Sequence, residues 1–212
     1  ADIVTADNDL AFSTLVTGFE ALEVTGGTGS QAINLTNMGI TNNITVATGA
    51  GTLTVNNIAD GGNLTLTGDR AGDSVALVNA LFATPTTNSI NVTMSAAAGF
   101  DGGTVTAANV ETVNLTATDT TSTATAHSLV LTADKASTVN VSGNAGINLT
   151  LTSSTKIATL DASASTGAVD ATSVSTAAIT MKGGSAGDSF TANGTTASTL
   201  IGNGGADTLT TN

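Results

Sequence analysis

Two glycine-rich segments near the end of the chain carry its densest chemistry. They are Gly183-Gly184-Ser185-Ala186-Gly187-Asp188-Ser189-Phe190-Thr191 and, with its aspartate nineteen residues on, Gly202-Asn203-Gly204-Gly205-Ala206-Asp207-Thr208-Leu209-Thr210. Each departs by one residue, Ala186 or Asn203, from the nonapeptide G-G-x-G-x-D-x-U-x. A third, weaker copy, Gly68-Asp69-Arg70-Ala71-Gly72-Asp73-Ser74-Val75-Ala76, departs at Asp69 and Ala71. Glycines let such a turn fold with several carbonyls inward, the aspartate adds a hard carboxylate oxygen, and the apolar residue two positions on enters the core. That donor set suits Ca²⁺. The candidate ligands are therefore Asp188 and Asp207 with the backbone of Gly183, Gly184, Ala186, Gly202, Asn203 and Gly205, and Asp73 from the weaker copy.

Little else in the sequence points to chemistry. His127 is the sole histidine; a triad or a zinc site needs partners that the sequence does not offer, so a surface imidazole is expected. Glu20, Glu23 and Glu111 could be read as paired carboxylates for glycoside hydrolysis, but with 2% aromatics nothing would stack on a sugar ring. No enzymatic activity is expected. Asp60-Gly61-Gly62 and Asp101-Gly102-Gly103 read as ordinary turns. Asp2, Asp7 and Asp9 read equally as calcium ligands at one end or as a charged cap on a strand edge. Asn34-Leu35-Thr36 and Asn114-Leu115-Thr116 match the glycosylation acceptor pattern, and strand alternation produces such triplets anyway.

The 212-residue chain has no Cys, Trp or Tyr, one Pro and 24 Gly. With 40% hydrophobic residues but few aromatics, it suits narrow, layered β-structure better than an ordinary globular core. Without cysteine, neither disulfides nor thiolate metal sites are available. A net charge of -12 with 4 Lys plus Arg disfavours nucleic acid and anionic membrane surfaces. Divalent cations are the natural counter-charge. No apolar run approaches a membrane span, so insertion is not expected, and Ala1-Asp2-Ile3 lacks the pattern of a signal peptide.

Apolar pairs of the form U-x-U recur every nine to eleven residues: Leu22/Val24, Ile33/Leu35, Ile44/Val46, Leu53/Val55 and Leu64/Leu66. The beat resumes with Val113/Leu115, Leu129/Leu131, Val139/Val141, Leu149/Leu151, Leu160, Val169, Ile179/Met181, Phe190, Leu200 and Leu209. Each pair predicts a short strand with one inward face. Glycine clusters such as Gly26-Gly27-Thr28-Gly29 and Gly143-Asn144-Ala145-Gly146 mark the reversals. Such strands could form an antiparallel sandwich, but the spacing from Asp188 to Asp207 spans two strand repeats and returns equivalent turns to one side. An all-β fold is expected, a parallel β-helix or β-roll solenoid of roughly 20 residues per coil and on the order of ten coils, rising about 4.8 Å each. Outward Asn and Thr should then ladder up the sheets. From Val75 to Phe100 the rhythm breaks, with Val78, Leu81 and Phe82 at helical spacing before Thr84-Pro85-Thr86, which predicts a short helix or loop inserted near 75–100 in one domain spanning 1–212.

Val110-Glu111-Thr112-Val113-Asn114-Leu115-Thr116-Ala117-Thr118-Asp119, the stretch from Val139 to Thr150 and Leu160-Asp161-Ala162-Ser163-Ala164, followed by the two nonapeptides, resemble the C-terminal part of Caulobacter-type RTX surface-layer (S-layer) proteins. Gly18-Phe19-Glu20-Ala21-Leu22-Glu23-Val24 resembles their strand opener. The resemblance is clearest over about residues 100 to 210. It implies a calcium-dependent β-solenoid lattice protein, extracellular at the cell surface and secreted from a Gram-negative bacterium by a one-step (type I) system whose signal lies beyond Asn212, so the chain is expected to be a fragment of a larger protein. The partners expected are further copies, in a lattice or filament, and cell-surface polysaccharide reached through regions outside this chain. Two other classes stay open: a calcium-stiffened segment of a large RTX adhesin, and the RTX tail of a secreted enzyme.

Overall fold

The computed structural model describes residues 3–6, 18, 20–25, 29–39, 42–49, 51–84, 87–121, 125–193 and 197–211. Asp2, Asp7 and Asp9 lie outside the described residues, as do Phe19 and Gly26-Gly27-Thr28.

The chain winds as a parallel β-solenoid. Among the described residues, strands from Ala21–Val24 onward alternate between two sheets of ten and nine strands, with Ile3–Ala6 joining the larger, and each strand pairs with those one coil before or after it. All the pairings are parallel, so strand residues align with counterparts on the neighbouring coil, and like residues meet like in columns. Coil length varies from 18 residues, between Ile3 and Ala21, to 30, between Ser74 and Thr104. The two C-terminal coils are the regular ones: Asp170 pairs with Ser189 and Ser189 with Thr208, nineteen residues each time.

The U-x-U pairs point inward as their alternation demands. Leu22, Leu64, Leu66, Val113 and Leu131 are completely buried and Leu115 and Val141 nearly so, in one continuous core that both sheets share. Two of these apolar positions differ from the expectation. Leu35 is buried, but it opens a 3-10 turn, Leu35–Met38, because the Asn34 side chain accepts from Thr36 N at 3.1 Å and pulls the backbone out of the strand. Leu209, in the last strand, Thr208–Thr211, is 42% exposed although it is aligned with buried Phe190.

The expected insertion near 75–100 is narrower. Ser74–Val78 and Ser89–Ala96 are members of the sheets, so Val75 and Leu77 are core residues, and the excursion is confined to 79–88, where Ala80–Ala83 forms a 3-10 turn and Phe82 packs inward.

On the outer face of the ten-stranded sheet, Asn43, Asn63, Asn91, Asn114 and Asn140 stack in register. Each amide donates Nδ2–H to Oδ1 of the one before, at 2.8–2.9 Å, and Asn43 ends the column by donating to the Glu20 carbonyl at 3.4 Å. Beside it runs a hydroxyl column of Thr45, Thr65, Thr93, Thr116 and Ser142. In register above Asn140 come Asp161 and Lys182, which form an ion pair at 3.3 Å.

Because Val141 and Leu149 are at most 2% exposed between two sheets, Val141→Asp or Leu149→Asp strands an unpaired charge in the core. Each substitution is expected to cost several kcal/mol. Loss of the folded far-ultraviolet circular dichroism signal, or a steep drop in urea midpoint, checks this, and a fully folded variant at both positions contradicts the register.

Candidate metal centre

The turns that lead from the ten-stranded sheet into the nine-stranded one all lie along one edge of the solenoid. In three of them an aspartate immediately precedes the strand: Asp73 before Ser74–Val78, Asp188 before Ser189–Ala192 and Asp207 before Thr208–Thr211. The carboxylates do the same thing each time. Asp73 Oδ1 accepts from Gly51 N at 2.5 Å, Asp188 Oδ1 from Val169 N at 2.7 Å and Asp207 Oδ1 from Asp188 N at 2.9 Å. The donor is the aligned residue one coil earlier, whose N–H would otherwise face a turn instead of a strand carbonyl. Each aspartate is a staple between coils.

The two nonapeptides stack as their spacing predicts. Thr208 N donates to the Asp188 carbonyl at 2.8 Å, which puts Asp188 and Asp207 in register one coil apart. Asp188 is 2% exposed, and its second oxygen accepts from Gly184 N at 2.7 Å. The first glycine of each motif has a steric reason. A Cβ on Gly183 would fall on Asp188 Oδ2, and one on Gly202 would fall on Asp207 Oδ2. Gly184 is pressed against the Ser165 carbonyl and Gly205, at φ +96°, against Ala186 of the coil before. Asn203 takes a left-handed φ of 67°, a conformation asparagine tolerates, and its Nδ2 donates to the Gly183 carbonyl at 2.7 Å. Ala186 is half-buried at the corner of its turn.

Of the residues picked out for metal binding, the structure thus brings Asp188, Asp207, Gly183, Gly184, Ala186, Gly202, Asn203 and Gly205 into two adjacent turns. Asp73 occupies the equivalent position far down the stack. Among the described residues there is no group of three or more His, Cys, Asp or Glu side chains placed to hold a metal. The oxygens these two turns could offer a metal are the two carboxylates and backbone carbonyls, hard oxygens of the class that suits calcium better than a transition metal. Compared with known protein families and with curated proteins, the chain matches none.

The other sequence candidates resolve as structural groups. His127 is a correction: it is completely buried, edge-on to Phe100 with ring centroids 4.6 Å apart. Its Nδ1 accepts from Phe100 N at 3.3 Å, which leaves Nε2 to donate to the Thr118 carbonyl at 3.2 Å. An imidazole with two backbone partners can replace ladder bonds where a turn interrupts the sheet, a role its lone occurrence did not reveal. Glu20 and Glu23 sit four strands of the ten-stranded sheet from Glu111, about 19 Å at the usual strand spacing, so they form no carboxylate pair with it. Glu111 Oε2 accepts from Asn88 N at 2.9 Å. Asp60 caps Ser89 N at 2.7 Å, and Asp101 caps Gly103 N at 2.9 Å.

Asp119, buried at the turn beside His127, accepts from Thr121 Oγ1 and N at 2.7 Å and from Thr125 N at 3.0 Å. These bonds, that of the Thr121 hydroxyl above all, hold its carboxyl below the ordinary range despite burial. A depressed folded value contributes stability above the pH at which the unfolded aspartate ionises, and that stability is lost as pH falls through the folded value. Melting temperatures measured from neutral to acid pH should therefore fall less steeply for Asp119→Asn than for the wild type; parallel slopes would contradict this role.

Proposed function

We propose that this chain is a structural, calcium-binding β-solenoid module of an extracellular surface-layer (S-layer) lattice or matrix, of the RTX type. The observation that carries it is Asp188. Its carboxylate is 2% exposed, and Asp207 stands one coil above it. No lysine or arginine pairs with it, since the two ion pairs among the described residues are Lys135–Asp134 and Lys182–Asp161. Burying an ionised carboxylate without a counter-charge is costly, even with two N–H donors. A divalent cation between the stacked turns supplies the missing charge. It would be held by Asp188, Asp207 and the carbonyls of the Gly183–Gly187 and Gly202–Ala206 backbone.

The rest of the molecule supports a structural role. One outer face carries a continuous asparagine ladder, hydroxyls such as Thr116 and Ser142 or Thr132 and Thr152 pair between coils, and the net charge of -12 makes contact between copies depend on cations. Secretion to the cell surface, and anchoring to polysaccharide through regions outside this chain, belong to the same proposal.

The calcium site is tested by melting in calcium and in EGTA. A ligand bound only by the folded state stabilises it by RT ln(1 + [L]/Kd), about 2.7 kcal/mol at a hundredfold excess over Kd. Wild type should therefore melt higher in calcium. Asp188→Asn and Asp207→Asn should lose that difference, and comparing each variant with itself removes the effect of the broken staple. Asp134→Asn, on the exposed surface beside Lys135, should retain it. Equal melting of the wild type in both buffers would mean that these turns are staples only.

Assembly is tested separately. Light scattering of the purified chain should show particle size rising with calcium up to the millimolar concentrations of extracellular modules. If the chain stays monomeric while still binding calcium, the adhesin-segment reading replaces the lattice.

A further inference from the structure

The chain carries a net charge of -12, yet one broad surface holds almost none of it. On the outer face of the nine-stranded sheet, from His127–Thr132 through to Thr208–Thr211, the outward positions are hydroxyls, one amide and one valine. Asp170 is the single charged residue among them. Surfaces that meet a partner are depleted of charge at their centre in this way. Asp170 also lines a groove of about 330 Å³ between the strands Ile147–Thr152 and Val169–Ser173, together with Asn148, Thr150, Thr172 and Val174. Elsewhere outward polar groups bond to one another, as Thr132 and Thr152 do at 2.6 Å. In the groove, none of the four polar side chains bonds to another described residue.

The cation that matches Asp170 is on the same molecule but out of its reach. The sequence has four Lys and Arg residues. Lys135 and Lys182 are in ion pairs with Asp134 and Asp161, and Arg70 is buried. That leaves Lys156, which is exposed and has no ion pair among the described residues. Asp170 and Val174 mark the two ends of the groove, about 13 Å apart at the usual rise per residue. Lys156 follows the strand Ile147–Thr152 and lies beyond the Val174 end, where Ser175 Oγ donates to the Thr155 carbonyl at 3.2 Å and holds the turn at the height of the groove. A lysine stem does not span that length.

We propose that this face pairs with the same face of a second copy of the chain, and that each groove receives Lys156 of the other copy. A two-fold axis parallel to the solenoid axis, between faces about 10 Å apart, reverses the strand direction and keeps each coil at its own height. It lays the Val174 end of one groove over the Asp170 end of the other. Lys156 and Asp170 are within one coil of each other in height, about 4.8 Å, so each lysine comes to the carboxylate of the other copy. Its three N–H donors meet that carboxylate, the Asn148 amide oxygen and the threonine hydroxyls of the groove. The net charge opposes contact between copies, and here the cation that offsets it is a lysine. The pairing needs no calcium and does not rest on the calcium reading.

The test is sedimentation velocity of the full chain in EGTA at about 0.15 M salt, where charges more than about 8 Å apart are screened. Wild type should show a concentration-dependent dimer. Lys156→Asp sets two carboxylates together at both contacts, and Asp170→Lys sets two ammonium groups together, so each variant alone should dimerise about tenfold more weakly. Mixed in equal amounts, the two variants should pair with each other, because in the mixed dimer both contacts again join a lysine to an aspartate. Both positions are exposed, so the variants should melt like the wild type; Lys156→Met and Asp170→Asn repeat the test without an added charge. A wild type that stays monomeric in EGTA, or variants that dimerise like the wild type or fail to pair when mixed, overturns the inference. Association that appears only with calcium overturns it too and leaves the calcium reading standing. Pairing in EGTA by a chain that shows no calcium effect supports the inference while the calcium reading fails.

Discussion

Parallel, in-register pairing between successive coils is the constraint on which the rest depends. Side chains that repeat at one coil length are forced into columns at the strand spacing, so a single residue type must be good against itself. Valine, leucine and isoleucine satisfy this inside. Asparagine satisfies it outside because its amide is both donor and acceptor, and threonine because its hydroxyl is. Aspartate does not, since a stack of ionised carboxylates repels itself. At Asp73, Asp188 and Asp207 it stands instead just before a strand, where its carboxylate takes a backbone N–H of the coil before.

This explains how much of the molecule could be read from the sequence. Leu64/Leu66, Val113/Leu115 and Val139/Val141 announce their strands because a two-residue alternation has one structural meaning in a chain with so few aromatics. The nineteen-residue return of Asp188 to Asp207 announces the coil. What did not show is whatever depends on the coil length changing. Coils lengthened toward 30 residues disguised Ser74–Val78 and Ser89–Ala96 as part of an irregular insert. Leu35 obeyed the apolar beat while the Asn34 side chain turned the backbone into a 3-10 turn. His127 looked like a surface residue because nothing local marks a side chain whose partners, Phe100 N and the Thr118 carbonyl, are set by stacking.

The Gly-Asp turns show the same limit at the site. Their residue types point to a cation, yet the carboxylates also bond to backbone amides, and both roles use one geometry. A staple fixes a carboxylate along the stack, and in Asp188 both oxygens accept from backbone N–H groups, Val169 N and Gly184 N.

The asparagine column has a direction. Every amide from Asn63 to Asn140 presents its N–H to the coil before, so the side-chain dipoles add along the solenoid axis much as peptide dipoles add along a helix, each polarising the next. The oxygen ends all face the later coils, which makes that end of the column negative. The next residue in register is Asp161, the wrong sign for such a pole, and Lys182 on the following strand draws its carboxylate into an ion pair. Reversing a segment of this solenoid would set oxygen against oxygen at the junction, so the column encodes polarity along a surface that otherwise repeats itself.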